Sequence, residues 1–288
     1  MRPAWAWLLV VLTFDVPVAS PSLLYPSARS ADGTLIGYDA KGSGNPALVF
    51  IHCWTCNRSV WNKQFDYFSK RYRVVRLDLA GHGESAAVRK TYSIAAFADD
   101  VIAVVDTLNL QNIILVGHSL GGPVALEVEK RLGDRVLGIV GVDAFYTGFP
   151  YPTGNKISAL LQPLLKEFPA YRELIGPQVF SYANRPQLQQ LLSYVVGNNN
   201  KAYLSALTEL ILWSEQESES ALQRAAPKLK NINAETQGLN KPSHPSVIVI
   251  PNTGHFVARE NPAAFNPALE DIVKTFVQTS TEPRPLSF

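Results

Sequence analysis

Cysteine, an excess of one charge and long hydrophobic runs are all scarce in this sequence. Only two of its 288 residues are cysteine. They cannot cross-link a fold of this size, and without clustered histidines they do not form a four-ligand zinc site. The 26 basic and 24 acidic residues are interspersed, which argues against a nucleic-acid-binding surface. No apolar run reaches the roughly 20 residues that span a bilayer. With 47% hydrophobic and 17% charged residues, the chain is expected to fold around its own core.

The N-terminus carries a shorter apolar segment. Arg2 precedes the apolar run from Ala4 to Phe14, and the small residues Val18-Ala19-Ser20 follow it, which is the order of a secretory signal peptide. The single positive charge and a nearby proline are atypical, and the alternative is an amphipathic or anchoring segment. We predict that residues 1–25 are a signal peptide and that the protein is secreted or periplasmic, and otherwise cytoplasmic.

The rest of the chain alternates short apolar runs with amphipathic patterns. Continuous apolar runs are typical of strands buried on both faces, and therefore of a parallel sheet. Apolar residues spaced three and four apart predict helices between them, with Ser93 as the N-cap of the first. The predicted strands are 47–51, 74–77, 113–116, 136–142 and 247–250, and the predicted helices are 94–108, 120–132 and 265–276. This order predicts an α/β fold with a doubly wound, mostly parallel sheet.

The stretch from 146 to 226 interrupts this alternation. It contains no convincing strand, and prolines divide its Leu- and Tyr-rich sequence into short helical patterns. We predict a helical cap over residues 146–226, inserted into a core of residues 30–145 and 227–280. Four aromatic residues where the cap begins indicate either an apolar or aromatic acyl group in the substrate or ordinary packing of the cap. They are Phe145, Tyr146, Phe149 and Tyr151.

The strongest chemical signal is the segment Gly117-His118-Ser119-Leu120-Gly121-Gly122. It lies between a predicted strand and a predicted helix, the context in which G-x-S-x-G indicates a nucleophile on a sharp turn. A serine hydroxyl needs a base, and His255 follows the last predicted strand at the same edge of the sheet. We therefore predict Ser119 as the nucleophile and His255 as the base. Structural roles are expected for His82, His118 and His244.

Four motifs in order make the chain resemble an α/β-hydrolase from about residue 33 to 278. Besides the serine segment, they are Phe50-Ile51-His52-Cys53-Trp54, the D-x-x-G-x-G-x-S turn from Asp78 to Ser85, and Gly254-His255-Phe256 with Glu260-Asn261-Pro262. The resemblance implies the α/β-hydrolase fold, Ser119 as nucleophile and His255 as general base and acid. It implies an oxyanion hole formed by the backbone amides of Trp54 and Leu120, and no metal or organic cofactor. Asp78 is expected to stabilise its own turn.

Two positions depart from the family pattern. Cys53 stands where the family usually has glycine, so a Cβ crowds the oxyanion turn. Its C-x-x-C spacing with Cys56 can also indicate redox chemistry, which the surrounding sequence favours less. The usual Gly-x-x-Asp after the seventh strand is absent. Glu235, at the end of a strand-like stretch, is the first candidate for the acid of the triad, Asp143 after the sixth strand is the second, and a site that uses neither stays open.

The predicted function is that of a serine hydrolase that cleaves a small carboxylic ester, thioester or lactone through an acyl-enzyme on Ser119. Its partner is a small-molecule acyl substrate, without nucleic acid or metal. Two other functions could use the same residues. One is hydrolysis of a carbon–carbon bond in a diketone ring-cleavage product, against which a secreted location weighs. The other is ligand binding with slow or no turnover, which Cys53 and the irregular acid motivate.

Overall fold

The strands of the protein form one sheet at its centre. The computed structural model describes residues 25–145, 200–234 and 247–281. Its strands are β1 (Ser27–Arg29), β2 (Leu35–Lys41), β3 (Ala47–Ile51), β4 (Arg73–Leu77), β5 (Ile113–His118), β6 (Val136–Val142), β7 (Leu229–Ala234) and β8 (Val247–Ile250). Their order across the sheet is β1-β2-β4-β3-β5-β6-β7-β8. β2 pairs antiparallel with β1 and β4, and the pairs from β4 to β8 are parallel. The predicted mostly parallel sheet is therefore confirmed.

Burial explains which strands the sequence pattern predicts. β3 and β5 are buried at every residue, and both have the continuous apolar sequence expected of a central parallel strand. β1 and β2 lie at the antiparallel end of the sheet and were not predicted. β1 has only three residues, and Asp39 and Lys41 interrupt the apolar pattern of β2 because this part of the strand is open to solvent.

Helices cover both faces of the sheet. They are α1 (Asn62–Phe68), α2 (Ile94–Thr107), α3 (Gly121–Leu132), α4 (Asn200–Gln216), α5 (Ser218–Ala225), α6 (Val257–Glu260) and α7 (Pro262–Thr281). One core cluster packs α2, α3, α4 and α5 against the sheet, and a second packs α1, α6 and α7 against it. Ser93 caps α2 as predicted, since its hydroxyl accepts from the Ala96 N–H at 3.1 Å. Helices on both faces make the sheet doubly wound.

The second face joins residues from opposite ends of the chain. The buried Gln64 side chain in α1 donates to the Ala258 carbonyl at 2.9 Å and to Asn266 Oδ1 at 2.8 Å. These bonds tie α1 to α6 and α7. Helix α1 from the N-terminal half of the chain and helices α6 and α7 from its C-terminal part are therefore held together on one face of the sheet.

Only part of the predicted cap can be compared with the structure. Residues 200–226 form α4 and α5 and the start of a 3₁₀ turn, and Tyr203 and Ala206 of α4 are buried in the first core cluster. Residues 146–199 and the predicted signal peptide up to residue 24 lie outside the described residues. Within the described ranges, no helix combines the length and the apolar character that a membrane crossing requires.

Candidate active site

Ser119 lies in a strained turn between β5 and α3. Its φ of 51° is in the left-handed region, which a residue with a side chain rarely adopts. The turn is also tight, because a Cβ on Gly117 would lie 2.2 Å from the Gly121 carbonyl oxygen, and one on Gly121 would lie 2.5 Å from that of Ile51. The Ser119 N–H donates to the Val142 carbonyl at 3.0 Å, which joins the turn to the end of β6. This backbone has the form of a nucleophile elbow.

Asp143 follows β6 and contacts His255 directly. Nδ1 of His255 lies 2.5 Å from Oδ2 of Asp143, and Oδ1 of Asp143 accepts from the Ala234 N–H at 2.9 Å. The Asp143 side chain is 2% exposed and that of His255 is 30% exposed. Because an ionised carboxylate can only accept, the neutral imidazole carries its proton on Nδ1 and keeps Nε2 as an acceptor. Of the two candidate acids, Asp143 makes this contact, whereas Glu235 lies outside the described residues.

His118 connects the turn of Ser119 to the loop of His255. Its Nε2 donates to the His255 carbonyl at 2.8 Å, and the centroids of the two rings are 4.7 Å apart. Burial lowers the pKa of His118 well below its usual value, and the neighbouring His255 adds to this effect. The ring is therefore neutral. The residue that precedes Ser119 thus positions the backbone of His255, a structural role at the site.

The two predicted oxyanion residues flank the same edge of the sheet. Trp54 lies in the turn after β3, and Ile51 of β3 pairs in parallel register with Gly117 of β5, so both turns emerge together. Leu120 immediately precedes α3, and N–H groups at a helix N-terminus have no partner within the helix. The indole Nε1 of Trp54 donates to the Tyr203 carbonyl at 2.7 Å, which attaches this turn to α4.

A disulfide joins Cys53 and Cys56 in the turn that carries Trp54. The C-x-x-C spacing, interpreted from sequence as a weak redox signal, did not predict this bond. The same spacing together with the predicted signal peptide could have indicated it, because disulfides are typical of exported proteins. The Cβ that distinguishes Cys53 from the usual glycine is accommodated with Cys56 in the second core cluster.

His52, which precedes the turn of Trp54, and His82 are buried side by side, with their ring centroids 5.0 Å apart. The Leu79 N–H donates to Nε2 of His52 at 3.0 Å, so Nδ1 carries the proton and donates to the Cys53 carbonyl at 2.8 Å. Burial lowers the pKa of His52 to about 4 and that of His82 to about 3. Both rings are therefore neutral near pH 7, and the structural role predicted for His82 agrees with this environment. His244 lies outside the described residues.

Asp78 stabilises its own turn, as predicted. The buried carboxylate accepts from the Arg58 N–H at 2.6 Å and from the Glu84 N–H at 2.9 Å, and it forms an ion pair with the Arg58 guanidinium. A Cβ on Gly83 would lie 2.3 Å from this carboxylate, so the turn requires glycine there.

The remaining predictions concern aromatic residues and metal ligands. Phe145 is partly buried, and its ring occupies the space that a Cβ on Gly122 or Gly141 would fill, which is ordinary packing. Tyr146, Phe149 and Tyr151 lie outside the described residues. No three histidine, cysteine, aspartate or glutamate side chains in the described ranges are grouped so that they could hold a metal ion.

Comparison with known proteins identifies the family. Residues 48–268 match the model of the alpha/beta hydrolase family. An uncharacterized protein of Mycobacterium tuberculosis is 32% identical over 154 residues, and this region spans 50% of the present chain but only 44% of that relative. The (E)-2-((N-methylformamido)methylene)succinate hydrolase of Acinetobacter baylyi is 29% identical over 83% of this chain and 94% of that enzyme. A thermophilic esterase from Thermogutta terrifontis, at 18% identity, has the same fold with a TM-score of 0.76 over 87% of this chain and 98% of that one. The chain belongs to the alpha/beta hydrolase family.

Proposed function

We propose that the protein is a serine hydrolase that cleaves a small carboxylic ester, thioester or lactone through an acyl-enzyme on Ser119. The observation that carries this proposal is the 2.5 Å contact between Asp143 and His255 beside the strained turn of Ser119. Membership of the alpha/beta hydrolase family supports the reaction class, as do relatives whose names are those of a hydrolase and an esterase.

In the proposed reaction Ser119 Oγ attacks the carbonyl carbon while His255 Nε2 takes the hydroxyl proton. The Trp54 and Leu120 amides donate to the oxyanion, and loss of one such donor typically lowers kcat about 10²–10³-fold. His255 then gives its proton to the departing alkoxide or thiolate, which leaves the acyl group on Ser119. Water attacks this acyl-enzyme with His255 again as base, and the acid product and free Ser119 are released.

Within this proposal Asp143, the second candidate of the sequence analysis, is the acid of the triad. Its carboxylate is buried against the histidine, and it follows β6, the neighbour of the strand that leads to Ser119. An acid in this position keeps the Nδ1 proton in place and stabilises the imidazolium that forms when His255 accepts the serine proton.

The proposal also includes a location outside the cytoplasm. The apolar segment behind Arg2 supports export, and the disulfide between Cys53 and Cys56 supports an oxidising compartment, where such bonds persist.

A fluorophosphonate probe tests the proposed nucleophile. We expect the wild-type protein to be labelled at Ser119, with a new bond between Oγ and phosphorus, loss of fluoride and transfer of the hydroxyl proton to His255. The Ser119→Ala variant should not be labelled, and intact-mass and peptide-mapping spectra would show both results. A folded wild-type protein that is never labelled would refute the proposal.

Turnover of two substrate types tests the reaction. Chromogenic short-chain esters should be hydrolysed, and a vinylogous diketone should not. The reverse preference would indicate a carbon–carbon bond hydrolase. A protein that is labelled at Ser119 but turns over neither substrate would indicate a ligand-binding relative, and the proposed esterase function would then be wrong.

A further inference from the structure

The Cys53–Cys56 disulfide encloses the two residues of the oxyanion turn. The cysteines are three positions apart, with their Cα atoms 5.3 Å apart, and Trp54 and Thr55 lie between them. Both cysteines are buried, at 2% and 1% exposure. The crosslink is therefore part of the packed layer beneath the turn and acts on the backbone that carries Trp54.

The turn contains a conformation that needs support. Thr55 has a φ of 60°, and this left-handed conformation is unfavourable for a β-branched residue. Its hydroxyl donates to the Trp54 carbonyl at 2.7 Å, and the Cys56 N–H donates to the Cys53 carbonyl at 3.1 Å. The disulfide closes this same four-residue turn and opposes its relaxation.

The direction of the Trp54 N–H follows from peptide planarity. The Cys53 carbonyl and the Trp54 N–H belong to one planar, trans peptide unit, so they point in opposite directions. The Cys53 oxygen is held by the Cys56 N–H and by Nδ1 of His52 at 2.8 Å. Groups that fix this oxygen also fix the Trp54 N–H. The disulfide keeps Cys56 in place and therefore maintains one of these two bonds.

A role in global stability alone explains the bond poorly. A disulfide stabilises a fold mainly by restricting the unfolded chain, and this effect grows with the length of the loop it closes. Here the loop is among the shortest that a disulfide can close, with a sequence separation of three. The expected contribution to the free energy of unfolding is smaller than that of a disulfide that closes a long loop, whereas the contribution to the geometry of the turn is direct.

We propose that the Cys53–Cys56 disulfide positions the Trp54 oxyanion donor, so that rapid turnover requires the oxidised form of this pair. The inference rests on the proposed hydrolase function. Reduction by a soluble dithiol breaks the S–S bond, supplies two electrons and two protons to form two thiols, and converts the dithiol into its cyclic disulfide. In the reduced protein the turn can relax at Thr55, and the Trp54 N–H loses its alignment.

The test compares the oxidised wild-type chain with the double variant Cys53→Ala/Cys56→Ala. We expect kcat for a chromogenic ester to fall about 10–100-fold in the variant, less than for complete loss of an oxyanion donor. KM should change less than about threefold, because the donor acts mainly on the transition state. The variant lacks a disulfide and two buried sulfurs, so its urea unfolding midpoint should be lower, and the unfolding curve verifies that it is folded under the assay conditions. A variant that keeps the wild-type kcat would overturn the inference.

Reduction of the wild-type chain provides a second measurement that does not depend on folding of the variant. Treatment with a dithiol, followed by mass spectrometry to confirm the gain of two hydrogens, should lower kcat, and reoxidation should restore it. The double-alanine variant serves as the control and should not respond to the dithiol. Full activity of the reduced wild type would overturn the inference while the hydrolase proposal stands. A folded, oxidised wild type that is never labelled at Ser119 would overturn both.

Discussion

Asp143 has two carboxylate oxygens, and each holds a different part of the site. Oδ1 accepts from the Ala234 N–H at the end of β7, and Oδ2 contacts Nδ1 of His255. The side chain is buried, and its own N–H donates to the Ile232 carbonyl at 3.0 Å. The carboxylate therefore has one orientation, and it holds the imidazole in one tautomer.

The Asp143→Asn variant tests this role. The asparagine oxygen can still accept from Ala234, but its NH₂ group then faces Nδ1 of His255 and favours the wrong tautomer. We expect kcat to fall by about 10⁴-fold, as is typical when the acid of a triad is lost. Glu235→Gln is the matched control, since it removes the other candidate carboxylate, and its kcat should remain close to that of the wild type. Ester hydrolysis measures both, and a large loss confined to the Glu235 variant would reverse the assignment.

At the scale of elements, the turn between β5 and α3 depends on close backbone contacts. A Cβ added at Gly117 would lie 2.2 Å from the Gly121 carbonyl oxygen and 2.7 Å from the Gly122 nitrogen. These are backbone atoms at the start of α3, so they cannot move away as the end of a flexible side chain could. The absence of a side chain at Gly117 therefore allows the sharp turn from β5 into α3 on which Ser119 lies.

We therefore expect Gly117→Ala to lower the free energy of unfolding by about 1–3 kcal/mol, the usual cost of overpacking. Labelling of Ser119 by a fluorophosphonate should slow as well. Gly37→Ala is the control, because Gly37 lies in strand β2 and its Cβ would meet no atom closer than 3.7 Å. It should be neutral or stabilising by up to about 1 kcal/mol. Equal effects of the two substitutions on urea unfolding would contradict the steric argument.

The elements also show what could be predicted from sequence. β3, β5 and β6 carry their signal locally, because strands buried on both faces need continuous apolar residues. β8 has the same apolar signal although Ile248 and Val249 are exposed. The turn of Ser119 is equally local, since tight backbone approach requires glycine at neighbouring positions. The contact between Asp143 and His255 joins residues 112 positions apart, and no local pattern specifies which of two carboxylates reaches the imidazole. The bond from the Trp54 indole to the Tyr203 carbonyl joins residues 149 positions apart and is likewise not specified by a local pattern.

At the scale of the whole molecule, buried histidines link stability to pH. His52 and His82 have pKa values lowered to about 4 and about 3 because burial disfavours their charged forms. Below pH 6.5 the unfolded chain binds protons at these residues, whereas the folded protein does so only near the lowered values. The free energy of unfolding therefore falls as the pH drops from 6.5 towards 4, by about 1.4 kcal/mol per pH unit for each histidine.

The His82→Gln variant isolates one of these contributions. Glutamine does not titrate, and it keeps a polar side chain of similar length at this position. Between pH 6.5 and 4.5 we expect the variant to lose about 2–3 kcal/mol less stability than the wild type. Urea unfolding at a series of pH values measures this difference. Curves that run parallel for the two proteins would show that His82 is not the group responsible.

The bond between Gln64 and Asn266 spans 202 positions, and that between Asp143 and His255 spans 112. Contacts of such long range cannot form while the C-terminal part of the chain is still in the ribosome. A nascent polypeptide from which Ser119 and Asp143 have already left the ribosome thus still lacks His255 and helix α7, which contains Asn266. Under the proposed mechanism, a chain that terminates before residue 255 lacks its base and is inert, and hydrolysis requires that synthesis has passed this residue.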